Sequence, residues 1–197
     1  MTPETWSALI AGLALAGTGG AWRTAYLAKQ ATVDLTRIEA RRWHADMTPQ
    51  FEITCVPLSM GDQVSEDRAE LRIRFVGPPG LTKLTVTPTI RDDWPDRKST
   101  LAGGPTQEEV TSQIWGPYRF IHGVDGGSEG SRTVTPITLL LSDGRPLSVE
   151  RTPPPRWADS AGWRQRYNGT PVRLALHCVH EGDEPWTVYK EVPTVHQ

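Results

Sequence analysis

The sequence predicts a mainly β fold, an antiparallel β-sandwich of immunoglobulin-like or similar type, preceded by a long N-terminal helix and carrying one or two short helices in its connections. Three observations lead there. Several short segments beyond residue 47 alternate apolar and polar residues with period two; 18 Gly and 17 Pro punctuate the chain; and residues 21–45, by contrast, hold neither Gly nor Pro. Period-two alternation marks strands with one face buried and one wet. Many such strands between Gly- and Pro-rich turns mark a sandwich or a barrel.

The N-terminal element comes first. Thr5 to Trp22 is a run of eighteen residues without a charge, about 27 Å of helix at 1.5 Å per residue and close to the hydrocarbon thickness of a bilayer. Residues 1–22 therefore read as a membrane anchor. Leu9, Ile10, Leu13 and Leu15 supply its apolar bulk, and Trp6 and Trp22 stand at the two headgroup levels. Gly12, Gly17, Gly19 and Gly20 dilute the run, so a soluble helix packing a small-residue face on the domain is the alternative. A cleaved signal peptide fits less well, because Glu4 is the only side-chain charge before the run, where a positive n-region belongs. Arg23, Lys29, Arg37, Arg41 and Arg42 all follow it. The positive-inside rule then gives a single-pass protein with its C-terminal part in the cytoplasm. Ala8, Gly12, Ala16 and Gly20 recur every four residues along one helix face, the pattern that lets two membrane helices approach closely, and so suggest a homodimer.

Residues 23–46 read as a helical stalk. Ala28, Ala31, Leu35 and Ile38 step by three, four and three, as a coiled-coil seam does, until Arg42 occupies the next seam position. An amphipathic helix lying on the domain or the membrane surface is the competing reading. Met47, Thr48 and Pro49 end the helix, since the residue before Pro is pushed out of the α region. The domain boundary falls there, leaving 47–197 as one domain with its own core.

Within that domain the alternating segments are Phe51, Ile53, Cys55; Leu71, Ile73, Phe75; Leu84, Val86; Val172, Leu174, Leu176, Cys178; and Trp186, Val188. Further strands are expected at 118–121, 133–141 and 147–150, about eight in all. Thr106 with Glu109 forms a capping-box pair opening a helix that Gly116 and Pro117 close. Ser160 is read as the cap of a second helix that runs to Tyr167 and stops at Asn168 and Gly169. The Pro153, Pro154, Pro155 run reads as a stiff surface connector.

Charge excludes one class of partner. Residues 47–197 hold 16 Lys and Arg against 19 Asp and Glu. A generic nucleic-acid surface needs concentrated positive charge, which a mildly acidic domain lacks.

The chain offers little catalytic chemistry. Cys55 and Cys178 fall on the apolar phase of strands and read as buried reduced thiols; a disulfide between two strands is the alternative in an extracytoplasmic domain. His177, Cys178 and His180 cluster locally, yet neighbours on a strand point to opposite faces, so no metal site is assigned. Asp92, Asp93 and Asp96, and Asp125 with Glu129 in the Gly123–Gly130 loop, read as solvated turns rather than calcium ligands. No phosphate-binding, dinucleotide, nucleophile-elbow or zinc motif is present. No catalytic residue and no cofactor is assigned.

Five of the 8 Trp belong to the domain: Trp94, Trp115, Trp157, Trp163 and Trp186. Each sits near an expected turn, where a ring either plugs an end of the sandwich or faces a ligand. Trp94, Trp157 and Trp163 are taken as the candidate partner or ligand contacts. The Trp6–Trp22 run, the basic stalk and the segment Ile114 to Phe120 together resemble uncharacterised single-anchor proteins of actinobacteria. That resemblance implies an N-terminal helix with a strand-rich domain and carries no functional residue. The expected function is a membrane-tethered interaction or scaffolding module with a protein partner. An anchored extracytoplasmic domain binding glycan or envelope polymer is the first alternative, and an enzyme without a recognisable motif the second.

Overall fold

The computed structural model describes residues 26, 28–30, 32–60, 63–94, 97–99 and 104–194. The anchor residues Trp6, Leu9, Ile10, Leu13, Leu15 and Trp22, the small-residue face Ala8, Gly12, Ala16 and Gly20, and Ala31 and Asp96 lie outside the described residues. Contacts divide the chain into two units after Asp46.

In the first unit residues 32–46 form a helix, α1. Thr32 and Thr36 keep their hydroxyls inside the helical geometry by donating to the carbonyls of Ala28 and Thr32, each at 2.9 Å. Leu35 and Ile38 of the seam are exposed. Among the described residues no helix is long and apolar enough to cross a membrane.

The second unit contains eight strands: β1 (Gln50–Met60), β2 (Gln63–Gly77), β3 (Lys83–Ile90), β4 (Tyr118–Phe120), β5 (Ile137–Leu140), β6 (Gly144–Arg151), β7 (Val172–Val179) and β8 (Trp186–Val192). They form two antiparallel four-stranded sheets, ordered β1-β2-β6-β4 and β5-β3-β7-β8. One continuous core draws on both. Leu71, Ile73, Phe75, Leu147 and Val149 come from the first sheet, and Leu84, Val86, Leu139, Leu174 and Leu176 from the second. Each fully buried side chain of this size contributes about 1.5–3 kcal/mol by leaving water. Phe51 and Phe75 add a tilted ring pair, centroids 5.7 Å apart, across the β1–β2 ladder.

The expected strand over 133–141 is shorter, and two prolines explain why. Pro88 sits inside β3, and its carbonyl accepts from the Val134 N–H at 3.4 Å. No N–H stands beside that carbonyl to answer, so the ladder to β5 covers Lys83–Val86 alone. Beyond it a single bridge joins Thr89 to Thr133. Pro136 then precedes Ile137, where β5 begins.

Two short helices follow. In α2 (Gln107–Ser112) the capping box closes as read, with the Thr106 hydroxyl accepting from the Glu109 N–H and the Glu109 carboxylate from the Thr106 N–H. The helix ends at Gln113, one turn before the expected stop at Gly116, because Trp115 is drawn inward instead. In α3 (Ser160–Tyr167) the cap is Asp159 rather than Ser160, its carboxylate accepting from the Gly162 N–H at 2.6 Å. Beyond β8, Thr194 bridges to Cys55 of β1, so the last described residue reaches the first strand of the domain.

Candidate functional site

Helix α3 places Trp163 and Tyr167 four residues apart, hence on one face. That face is buried in a second apolar cluster with Val110 and Trp115. The Trp163 ring lies 4.7 Å from Tyr167 and 5.4 Å from Trp115, centroid to centroid. Both indole N–H groups are satisfied internally: Trp163 donates to the Thr152 carbonyl at 3.0 Å and Trp115 to the Val110 carbonyl at 2.9 Å. These rings act as plugs that join the helices to the end of the sheet.

A polar network secures the plug. Arg97 makes two bonds to Asp93, at 2.8 and 2.9 Å, while its guanidinium lies 4.1 Å over the Trp115 ring. The Tyr167 hydroxyl donates to the same carboxylate at 3.1 Å. Burial, then the charge of Asp93, pushes the Tyr167 pKa up to about 12. Asp92 accepts from the Trp115 N–H at 2.9 Å and pairs with Arg132 at 3.0 Å. Asp92 and Asp93 are therefore not solvated turn carboxylates, as their sequence suggested, but half-buried anchors. Asp125 of the Gly-rich loop is likewise engaged, accepting from the Ser148 N–H at 2.7 Å.

Beside the plug lies an open cleft. β6 ends at Arg151 and the chain leaves the sheet through Thr152, Pro153 and Pro154, opposite the solvent edge of α3. One hollow of about 190 Å³ is walled by Trp163, Tyr167, Pro117 and the two prolines. A second, of about 330 Å³, adds Gln165 and Asn168. Asp67, Arg151 and Arg164 border both. Thr152 is pinned by its backbone, its N–H donating to the Pro117 carbonyl at 3.1 Å and its carbonyl accepting from Trp163. Its buried Oγ1 has no hydrogen-bond partner among the described residues. A buried hydroxyl left this way costs about 1–3 kcal/mol.

The outward faces of the two sheets differ in chemistry. On the β1-β2-β6-β4 sheet, Glu52 pairs with Arg74 at 3.2 Å, Glu70 with Arg72 at 3.1 Å and Glu150 with Arg119 at 2.7 Å. This is an ordinary charged solvent face. On the other sheet the non-core positions of β3 are Thr85, Thr87 and Thr89, and across the ladders stand Thr138, His177 and Thr187. Leu140, Val179 and Tyr189 are exposed on the same side. Charge enters at the ends, with Lys83 at one and the Arg173–Glu191 pair at the other.

Of the three tryptophans singled out in the sequence, Trp94 and Trp157 are exposed, whereas Trp163 is 6% exposed and forms cleft wall and plug. Of the three, Trp163 lines the smaller of the two hollows beside α3, and neither Trp94 nor Trp157 lines either hollow. Cys55 and Cys178 are free and buried, on β1 and β7. Burial pushes their thiol pKa values up to about 11 and about 12, which suppresses the nucleophilic thiolate. Cys178 Sγ donates to the Leu176 carbonyl, and His180 is engaged by Asp183 at 2.7 Å. Among the described residues no group of three His, Cys, Asp or Glu is placed to hold a metal ion.

Two features escaped sequence reading. The Thr85, Thr87, Thr89 alternation was visible in the chain, and its uncharged character was the signal available. The cleft left no signal, because Asp67, Arg151 and Arg164 meet only through the sheet register and the return of α3. Compared with protein-family models, with curated proteins and with solved structures, the chain matches none.

Proposed function

We propose that the protein is a membrane-tethered interaction or scaffolding module. In this reading the Thr5–Trp22 run is a single-pass anchor, the basic residues after it hold the domain in the cytoplasm, and the two sheets pack core to core as a β-sandwich. Strand order supports an immunoglobulin-like type. The runs β1-β2-β6 and β3-β7-β8 follow the A-B-E and C-F-G order of that fold. β4, paired with β6, takes the place of strand D, and β5 is an added edge strand beside β3.

The observation that carries the reading is the contrast between the outward faces. Charge depletion at the centre of a patch, with charge kept to the rim, distinguishes interaction surfaces from ordinary surface. The β5-β3-β7-β8 sheet has that distribution, and the opposite sheet has ion pairs throughout. Tethering raises local concentration near membrane partners, so modest affinity at such a face suffices. A homodimer through Ala8, Gly12, Ala16 and Gly20 would add avidity. The extracytoplasmic alternative, a glycan- or envelope-binding domain, draws on the exposed rings of Trp94 and Trp157.

The test is protease protection of a C-terminal tag, in intact and lysed protoplasts, once the protein is shown to resist alkaline extraction. Protection until lysis is expected, together with crosslinked partners that the Thr87→Arg variant loses. Digestion in intact protoplasts overturns the cytoplasmic placement; partners retained by Thr87→Arg overturn the face.

A further inference from the structure

Taking the outward face of the β5-β3-β7-β8 sheet as the interaction surface proposed above, we infer that it docks a protein surface uncharged at its centre, with a carboxylate set against Arg91, and that protonation of His177 releases this partner. The first observation is position. His177 lies on β7 with Thr87 of β3 on one side and Thr187 of β8 on the other, near the middle of the face. It is exposed, and Ala175 and Val179 are its neighbours on the same side of β7.

The second observation is the set of groups around that ring. His44, His122 and His180 are each engaged, the last two by the Ser128 carbonyl and the Asp183 carboxylate. His177 has no hydrogen bond or ion pair among the described residues. From β3 it is faced by Thr85, Thr87 and Thr89, with Lys83 and Arg91 at the two ends of that strand; from β8 it is faced by Thr187 and Tyr189, with Glu191 beyond. Glu191 is bonded to Arg173 at 3.0 Å. Arg173 stands four residues away along β7, about 13 Å in extended chain and further than the screening length of about 8 Å at physiological salt. Glu181 and Glu184 belong to the connection between β7 and β8. The charge carried onto the face itself is that of Arg91, whose guanidinium lies 4.5 Å over the Tyr189 ring. Being positive, it cannot neutralise an imidazolium.

The partner's chemistry follows by complementarity. A carboxylate over the threonine rows would lose its hydration with no cation to meet it, whereas one placed at Tyr189 meets the forked guanidinium of Arg91. Regulation follows from the same arrangement. Histidine is the side chain that changes charge between pH 5 and 8. A neutral imidazole can be covered by an uncharged surface, but an imidazolium brings into the desolvated patch a charge with no counter-ion. The complex therefore forms with the neutral ring, and the free protein is the state that takes up the proton. Affinity is full above the titration and falls as pH drops through it, by about tenfold per pH unit at the limit.

The test uses the full chain in permeabilised membrane vesicles, with photoreactive benzoylphenylalanine in place of Thr138 on β5, and reads the crosslinked product that Thr87→Arg abolishes. With the partner below saturation, the yield is expected to fall about tenfold between about pH 7.5 and about pH 5.5. His177→Gln, uncharged at both, is expected to keep the higher yield throughout, and His177→Lys to lose it throughout. Arg91→Gln is expected to lower the yield at the higher pH about threefold or more. His177 and Arg91 are both exposed, and an unchanged urea midpoint checks that each variant is folded. Absence of any product that depends on Thr87 overturns the face and the inference together. A Thr87-dependent product whose yield is flat with pH, or falls equally in His177→Gln, overturns the switch and leaves the face standing; one indifferent to Arg91→Gln overturns the partner's carboxylate.

Discussion

Replacing Thr152 by Val removes one polar atom and almost no volume. Thr152 is buried, both its backbone groups are bonded, and its Oγ1 alone lacks a partner among the described residues. The hydroxyl therefore loses its hydration on folding and gains nothing in return, at a cost of about 1–3 kcal/mol. Val keeps the branched shape and the χ1 preference, so the backbone bonds to Pro117 and Trp163 survive. The expected gain is about 1 kcal/mol, the low end of that range, which raises Tm by about 2–4 °C for a domain of this size. Thr152→Ser is the control. It keeps the hydroxyl, deletes the methyl and is expected to lose about 0.8 kcal/mol. Urea unfolding followed by tryptophan fluorescence measures both, with an unchanged m-value as the check that only stability has moved. Destabilisation of Thr152→Val by 1 kcal/mol or more would refute the reasoning, because it would mean that the hydroxyl is bonded in the native state.

Other perturbations probe the plug and the core. Asp93→Ala leaves Arg97 and the Tyr167 hydroxyl without their shared acceptor, and a loss of about 1.5–3 kcal/mol in the same urea assay is expected. Thr106→Ala breaks the capping box of α2 at a cost of about 1 kcal/mol, seen as faster amide exchange at Glu109 and Val110. Burial raises Cys55 and Cys178 from an ordinary 9.0 to about 11 and about 12, so native thiols are expected to resist a disulfide reagent at pH 8 and to react on unfolding. The unfolded chain releases these protons first. Their contribution to stability is thus complete below about pH 9 and lost as pH rises toward 11–12, with Tyr167 adding to the same alkaline loss; a stability profile flat across that window would count against it.

The strands were legible because their signal is local. Leu71, Ile73 and Phe75, or Leu174 and Leu176, state their own face through period two, and the sheets obey them. The capping box at Thr106 was legible for the same reason. What sequence reading missed depends on pairs distant along the chain. Asp92 meets Arg132 across 40 residues and Tyr167 meets Asp93 across 74. A loop carboxylate looks solvated until such a partner is known. Trp163 was equally ambiguous, since only the return of α3 against Thr152 makes it a wall. Pro136 could have shortened the expected 133–141 strand at once; Pro88 acted on that strand through a neighbour no local window contains.

The bridge from Thr194 to Cys55 has a consequence for the order of events at the ribosome. The domain's opening strand is held from one side by β2, its immediate successor, and meets on the other a residue synthesised after the eighth strand. The β1–β2 hairpin can form as soon as it emerges, because its contacts are local. β1 remains an edge of its sheet, and among the described residues the bridge to Thr194 is what covers its outer side, so before Thr194 is made that side is open to pairing with another chain. Nascent chains stalled before Thr194 are thus expected to be more sticky than the finished domain.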